Sequence, residues 1–270
     1  MGFKGIDISK WNGDINWDKV KNSGIDFAMI REGYGVKNPN QIDKKFKSNV
    51  SNAKKAGINV GIYHYSYACS AEEAINEAHF CLENIQGISL TYPVVIDIED
   101  KSQLKLTNQQ RTDIVKTFCS EIEKAGYYAM FYCNLNWLNN YFYKNELLQK
   151  YDIWLAQWYV KSPSNSCGIW QYSSTGTIDG IEGHVDLNIA YKNYPEIIKN
   201  KNLNHHEKNN IHINKTEKTS YFEHTVQKGD TLWGLAKTYL GSGAKYGKIK
   251  SLNALKSSTI YVGQILKIPK

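Results

Sequence analysis

The chain has 270 residues and a formal net charge of +7, with 41% hydrophobic and 22% charged residues. These proportions are those of a globular protein and exclude a disordered or collagen-like chain. No window approaches ~18 uninterrupted apolar residues, so we expect no membrane insertion.

The first eleven residues, MGFKGIDISKW, lack the apolar stretch of a secretory signal peptide, so we expect synthesis without one. The cysteines are odd in number, and none stand at the spacing of zinc ligands, which predicts reduced thiols and no metal site. They are Cys69, Cys81, Cys119, Cys133 and Cys167. Nothing in the sequence indicates a cofactor.

One stretch divides the chain. Residues 199–221, KNKNLNHHEKNNIHINKTEKTSY, are rich in Asn, Lys and His and poor in large apolar side chains. Such a segment buries too little surface to offset its ordering entropy, so we predict a polar linker between domains at 1–198 and 222–270. The last domain has 8 Lys against 2 acidic residues, a charge that suits a polyanionic surface.

Short apolar runs alternate with amphipathic stretches through the first domain. The predicted strands are residues 4–8, 25–31, 59–65, 92–98 and 127–132, followed by 153–158, 168–172 and 185–187. The predicted helices are residues 17–22, 43–56, 71–84, 108–125 and 137–150. Five strand–helix units in series imply a parallel sheet, and three further strands can close it. The pattern therefore predicts an α/β fold, an irregular eight-stranded barrel.

Acidic residues end the fourth predicted strand. In YPVVIDIED, Asp97 and Glu99 point to the same face, with Cα atoms roughly 6.6 Å apart at ~3.3 Å rise per residue. Burying two unpaired carboxyls costs several kcal/mol, so folding explains them poorly. Glycoside hydrolysis explains them well, because it uses one carboxylic acid and one carboxylate.

We expect closure of the barrel to bring two more acids close to Asp97 and Glu99. Asp7 lies at the end of the first strand and Asp186 in the last, and these strands are neighbours in a closed barrel. Four carboxyls at close range cannot all ionise cheaply, so at least one pKa should rise. The alternative is that Asp7 and Asp186 serve as hydrogen-bonded loop caps.

The motifs GIDISKW, VVIDIED, WLAQW and IWQYSS…VDLN, in this order, resemble glycoside hydrolase family 25, the Chalaropsis-type lysozymes. The resemblance covers about residues 5–190 and implies a (β/α)5β3 TIM-like barrel that cuts the MurNAc–GlcNAc β-1,4 bond. It matches Glu99 to the general acid, Asp97 to the second carboxylate, and Asp7 and Asp186 to supporting acids. The family's usual glutamine after the first strand is here Trp11, or is displaced, which leaves that subsite open.

The same resemblance implies a sugar groove lined by strand-end residues. They are Tyr63, Tyr65, Tyr132, Trp158 and Gln171. An aromatic ring can pack on a sugar face, although each ring could equally fill the barrel core. We expect retention of anomeric configuration, with Asp97 stabilising an intermediate formed by the substrate's own N-acetyl group.

The tail, with HTVQKGDTLWGLA and a terminal GQILKIP, resembles the LysM domain, a βααβ module that binds GlcNAc-containing chains. His224 and Leu235 depart slightly from its usual pattern. The resemblance implies a sugar groove, and each of its residues could instead only cap or pack. These residues are Gly229, Asp230, Thr231, Leu232, Asn253, Tyr261 and Val262.

Together these features predict a peptidoglycan-cutting N-acetylmuramidase with a wall anchor. The missing signal peptide favours a phage or prophage endolysin of a Gram-positive host, released from the cytoplasm with the help of a holin. The alternatives are a bacterial autolysin, a chitinase-like glycosidase, and a wall-binding protein with a decayed barrel. Chitinases carry another Asp where Val95 stands, and the basic tail has no nucleic-acid-binding signature, so we expect no nucleic acid partner.

Overall fold

A computed structural model describes residues 2–36, 39–205, 221–253, 255 and 257–269. The chain divides into two compact units, Met1–Glu207 and Lys208–Lys270. Most of the predicted linker, residues 206–220, lies outside the described residues.

Eight strands of the first unit form a closed barrel, as the strand pattern predicted. They are β1 Phe3–Ile8, β2 Phe27–Tyr34, β3 Asn59–Tyr65, β4 Val94–Asp97, β5 Ala129–Asn134, β6 Asp152–Ala156, β7 Ile169–Gly176 and β8 Val185–Ala190. Neighbours from β1 to β7 are parallel. Strand β8 is antiparallel to both β7 and β1 and closes the barrel between them.

Seven helices accompany the barrel strands within the described residues. They are α1 Trp17–Asn22, α2 Phe46–Lys55, α3 Ala71–Asn84, α4 Asn108–Lys124, α5 Leu135–Asn140, α6 Lys144–Leu148 and α7 Tyr194–Asn200. Thr107 caps α4, because its hydroxyl accepts a hydrogen bond from the Gln110 backbone N–H. None of the helices that the structure describes combines the length and the apolar character needed to cross a membrane.

The single helix predicted at 137–150 is wrong, because the chain forms α5 and α6 with a break between them. Phe142 is buried at this break and packs on Phe131 and Trp137. The next backbone N–H, of Tyr143, donates to the Thr112 hydroxyl at 3.0 Å. The burial of the Phe142 ring and the hydrogen bond from Tyr143 to α4 therefore interrupt the helix that the sequence periodicity predicted.

The predicted start of the linker at 199 is too early. Helix α7 runs through this point, with Asn193 as its N-cap and Pro195 in its first turn. Beyond the helix, the buried Asn204 donates to the Tyr92 carbonyl at 2.8 Å and accepts from the Tyr128 backbone N–H at 2.7 Å. Residues through Asn204 are thus part of the barrel unit.

The second unit has the predicted βααβ order. Strands β9 Tyr221–Thr225 and β10 Ile265–Pro269 pair in antiparallel fashion, and helices α8 Leu232–Leu240 and α9 Tyr246–Leu252 lie between them in the chain. This unit has an apolar core of its own, which stabilises it as a separate module. The core residues are Val226, Leu232, Leu235, Ala236, Tyr246, Ile249, Leu266 and Ile268.

The Asn204 contacts predict that an Asn204→Ala variant loses about 2–4 kcal/mol of unfolding free energy, because two backbone groups lose their partners. Denaturant titration of the barrel transition measures this loss. Asn200→Ala, at the exposed end of α7, is the matched control and should change the free energy little. Equal stability of the two variants would contradict a structural role for Asn204.

Candidate active site

Four carboxyl groups meet at the carboxyl-terminal edge of the parallel strands. Asp97 is the last residue of β4, and Glu99 follows two residues later. Asp7 of β1 stands directly opposite Asp186 of β8 in the antiparallel pair that closes the barrel. The structure therefore brings the four sequence-predicted acids to one mouth, where each affects the pKa of another.

Gln171 of β7 joins one pair of acids to the aromatic wall of the barrel. Its side-chain N–H group donates to Asp7 at 2.9 Å and to Asp186 at 3.4 Å. Its side-chain oxygen accepts from the Tyr132 hydroxyl at 3.2 Å and from the Trp158 indole N–H at 3.1 Å. Every hydrogen-bonding direction of this buried amide is thus used, which holds the acids and the rings in one arrangement.

Asp7 is the most constrained of the acids. Its Oδ2 atom accepts from Gln171 and, at 2.8 Å, from the amide of Asn188. Burial and the negative charge of Asp186 raise the pKa of Asp7 well above its ordinary value. Burial also raises the pKa of Asp186, although less. These directions favour the neutral form of Asp7, because two adjacent carboxyls cannot both ionise cheaply.

Asp97 lies deeper than Glu99 and is 5% exposed. Burial, with the charges of Glu99 and Asp7, raises the pKa of Asp97 well above its ordinary value, and Arg31 opposes this. Its Oδ1 atom is buried without a hydrogen-bond partner among the described residues. Burying such an atom is costly unless a bound molecule pairs with it, so this oxygen is available to a ligand.

Glu99 is half-buried, and burial raises its pKa, helped by the negative charges of Asp186 and Asp100. A hydrogen bond from the Asn134 side chain opposes this rise. The Asn134 oxygen meanwhile caps α5 by accepting from the Trp137 backbone N–H at 3.0 Å. A carboxyl with a raised pKa at a partly open mouth can deliver a proton near neutral pH.

The other sequence-predicted groove residues are also at the mouth. Tyr63 packs edge-on against the Trp154 ring, with centroids 5.8 Å apart, and burial and the nearby acids raise its pKa well above the ordinary value. The Tyr65 hydroxyl donates to Asp100 at 3.2 Å. Trp158 is 41% exposed beside Gln171, so its ring remains open to a ligand.

Sequence reasoning missed several supporting residues. The Asn188 amide donates a hydrogen bond to Asp7, and the Asn188 oxygen accepts one from the Trp154 indole N–H at 2.8 Å. Arg31 is held by Asp43 through two nitrogens at 2.9 and 2.8 Å and lowers the pKa of Asp97. Asn188 stands two residues after Asp186 on the same strand, and this alternation was the available signal.

A separate polar cluster joins residues of β2, β3 and α3. Glu32, His64 and Cys81 are buried with donor atoms within 4.8 Å of one another, close enough for a metal ion. Two of them also bond to each other, since His64 Nδ1 is 2.8 Å from Glu32 Oε2. Burial and the charge of Glu32 raise the pKa of Cys81 well above its ordinary value. Asn84 of α3 donates to Glu32 as well. These bonds connect β2 and β3 to α3.

The predicted groove of the tail module is only partly available to a ligand. Thr231 caps α8, the Leu232 side chain is buried in the core, and Asn253 bonds to the backbone of Lys267 on β10. The Leu232 side chain is therefore not available to a sugar, whereas the contact predicted for the half-buried Asn253 stays a prediction. Asp230 is held by His224 at 2.8 Å near the turn at Gly229. Tyr261 and Val262 are each 71% exposed and stay candidates.

Two family models match the chain. Glycosyl hydrolases family 25 matches residues 6–181, and the LysM domain matches residues 224–269. Among curated proteins, Lysozyme M1 of Streptomyces globisporus is 33% identical over 202 residues, which are 69% of this chain and 67% of that protein.

Solved structures agree with this assignment. The bacterial lysozyme from Streptomyces coelicolor has a TM-score of 0.63 and 32% identity, covering 71% of this chain and 93% of that one. The CTP1L endolysin has a TM-score of 0.64 and 26% identity, covering 73% and 70%. The predicted barrel and the predicted glycoside hydrolase class are thereby confirmed, and the chain belongs to glycosyl hydrolases family 25, with a LysM domain over residues 224–269.

Proposed function

We propose that the protein is an N-acetylmuramidase that hydrolyses the β-1,4 bond between MurNAc and GlcNAc in peptidoglycan. The observation that supports this most is the four-carboxyl mouth, in which burial raises the pKa of Asp7, Asp97, Glu99 and Asp186 together. Glycoside hydrolysis needs a protonated carboxylic acid and an ionised carboxylate within one groove. Repulsion among neighbouring carboxylates supplies both, because it keeps one of them protonated while another ionises.

Glu99 is the general acid in this proposal. It is the more open of the β4 carboxyls, and its raised pKa keeps it protonated at a pH where an exposed glutamate is ionised. After it gives its proton to the glycosidic oxygen, the same carboxylate can take a proton from the attacking water.

In its ionised form, Asp97 stabilises the positive charge that develops on the sugar. Its unpaired buried oxygen is placed to hold the N-acetyl group of the substrate as that group closes on the anomeric carbon. We therefore propose retention of configuration. Asp7 and Asp186, which Gln171 holds in place by hydrogen bonds, contribute to the electrostatic field around this step and do not contact the leaving oxygen.

The LysM domain holds the enzyme on glycan chains in this proposal, which fits its basic composition and the anionic wall. The proposed setting is lysis of a Gram-positive host by a phage or prophage endolysin, released by a holin, and the likeness to an endolysin and to lysozymes supports it. A bacterial autolysin of the same activity is the alternative. A chitinase is less well supported, because Val95 stands where chitinases carry another acid.

Digestion of purified sacculi should release fragments with MurNAc at the reducing end, identified by mass spectrometry. Glu99→Gln should lower the rate at least about 100-fold, because proton transfer to the leaving oxygen is lost. Glu72→Gln, exposed in the first turn of α3, is the matched control and should keep its activity. NMR of the first product should show the β anomer.

Three outcomes would contradict parts of the proposal. GlcNAc at the reducing ends, or freed peptides, would reject the proposed muramidase activity. Full activity of Glu99→Gln would reject Glu99 as the general acid. A product with inverted configuration would reject the proposed role of Asp97.

The pH profile tests the environment of Glu99. An acid catalyst must be protonated, so activity falls as pH rises through its pKa. Asn134→Asp keeps the oxygen that caps α5 but replaces a hydrogen bond that lowers the pKa of Glu99 with a negative charge. The alkaline limb of kcat/KM should therefore move to higher pH. If the alkaline limb of kcat/KM stays at the same pH or moves to lower pH, a group other than Glu99 is responsible for it.

Wall binding tests the tail module. In a Glu99→Gln background, Tyr261→Ala should weaken co-sedimentation with sacculi about two- to tenfold, because an exposed ring that packs on sugar is lost. Tyr221→Ala, exposed on β9 outside the proposed groove, is the control and should bind normally. Equal binding by both variants would remove Tyr261 from the groove.

A further inference from the structure

The loop that follows β6 contains a strained tyrosine. Tyr159 has a φ of 60°, in the left-handed region of backbone conformation, and it is 88% exposed. A bulky residue rarely adopts this conformation, because its Cβ atom comes too close to the following carbonyl oxygen. Glycine or asparagine would form the same turn with less strain. Core packing does not explain a tyrosine here, since so little of it is buried.

The strained residue lies in a loop that is fixed at its base. We call residues 157–164 the Tyr159 loop. The Gln157 side chain donates to the Ser164 hydroxyl at 2.7 Å and accepts from the Ser164 backbone N–H at 2.8 Å. The Gln157 carbonyl accepts from the Trp170 indole N–H at 2.8 Å. Because these bonds hold both ends of the loop, the surrounding structure can impose the strained conformation on Tyr159.

The Tyr159 loop adjoins the four acids. It begins directly after β6, at the carboxyl-terminal edge of the parallel strands where the acids meet. The Trp158 indole N–H donates to Gln171, whose amide holds two of the acids. Tyr159 is the next residue, and consecutive Cα atoms are about 3.8 Å apart. A polymer that is bound at the acids and leaves the mouth on the β6 side therefore passes the Tyr159 loop.

Three large apolar side chains are exposed in succession on this loop. Trp158 is 41% exposed, and Val160 on the other side of Tyr159 is 40% exposed. Single exposed apolar residues are ordinary, but a contiguous run at a strained turn beside the acids is typical of a binding surface. A tyrosine ring offers a rigid face for a sugar ring and a hydroxyl for a hydrogen bond, and it has few rotatable bonds to immobilise.

Resting on the proposed function, we propose that Tyr159 forms an outer sugar subsite. Its ring packs on a sugar of the glycan strand that lies beyond the two sugars flanking the cleaved bond. This contact contributes only when the strand is long enough to reach Tyr159, so the enzyme cuts long strands in preference to short fragments. Tyr159 is a specificity residue and takes no part in breaking the bond.

Soluble uncross-linked peptidoglycan strands, fractionated by length, test this proposal. The measured quantity is kcat/KM per cleavable bond on long strands, divided by the same quantity on the shortest strands that the parent protein cuts. Tyr159→Asn should lower this ratio about three- to tenfold, as expected for the loss of one packed ring. Its Tm should stay the same or rise, because asparagine tolerates the left-handed region better than tyrosine. Tyr159→Phe keeps the ring and should keep most of the parent ratio.

Tyr191→Asn removes another exposed ring, which follows β8 at the opposite edge of the barrel, and should keep the parent ratio. A parent ratio near one, or a Tyr159→Asn ratio equal to that of the parent, would overturn the subsite. An equal loss on long and short strands, or a loss accompanied by a lower Tm, would also overturn it. Failure of the parent to cut strands of either length would instead reject the proposed muramidase, so the two failures are distinguishable.

Discussion

The antiparallel pairing of β8 with β1 is the constraint on which the site depends. It closes the barrel and sets Asp7 opposite Asp186, so two acids from the ends of the domain become neighbours. Without this closure Gln171 would have no second carboxyl to hold, and Asn188 would not reach Asp7. The geometry of the mouth is thus a consequence of the sheet topology, and loop conformation contributes less.

Closure alone would place like charges together at a high cost. The molecule offsets this cost through the raised pKa of Asp7, which favours its neutral form beside Asp186, and through a buried Gln171 amide that has all its hydrogen bonds made. Asp97 has no such support for one of its oxygens. Asp7 and Asp186 are therefore held by hydrogen bonds within the protein, whereas one oxygen of Asp97 is left without a partner among the described residues.

Charge is arranged by position around the mouth. The acids stand at or just beyond the ends of β4, β1 and β8, while Lys10, which has no carboxylate partner among the described residues, stands with exposed rings after β1.

The sequence by itself determined the barrel, the tail module and the four acids, because strand alternation and acids at strand ends are local signals. It did not determine the break at Phe142, the docking of Asn204 or the burial of Leu232, since each depends on contacts with residues distant in sequence. Only the tertiary structure decided that Asn188 holds Asp7 and that Lys10 lacks a carboxylate partner among the described residues. Hydrogen-bond partners and charge balance are properties of the packed chain, which no local pattern encodes.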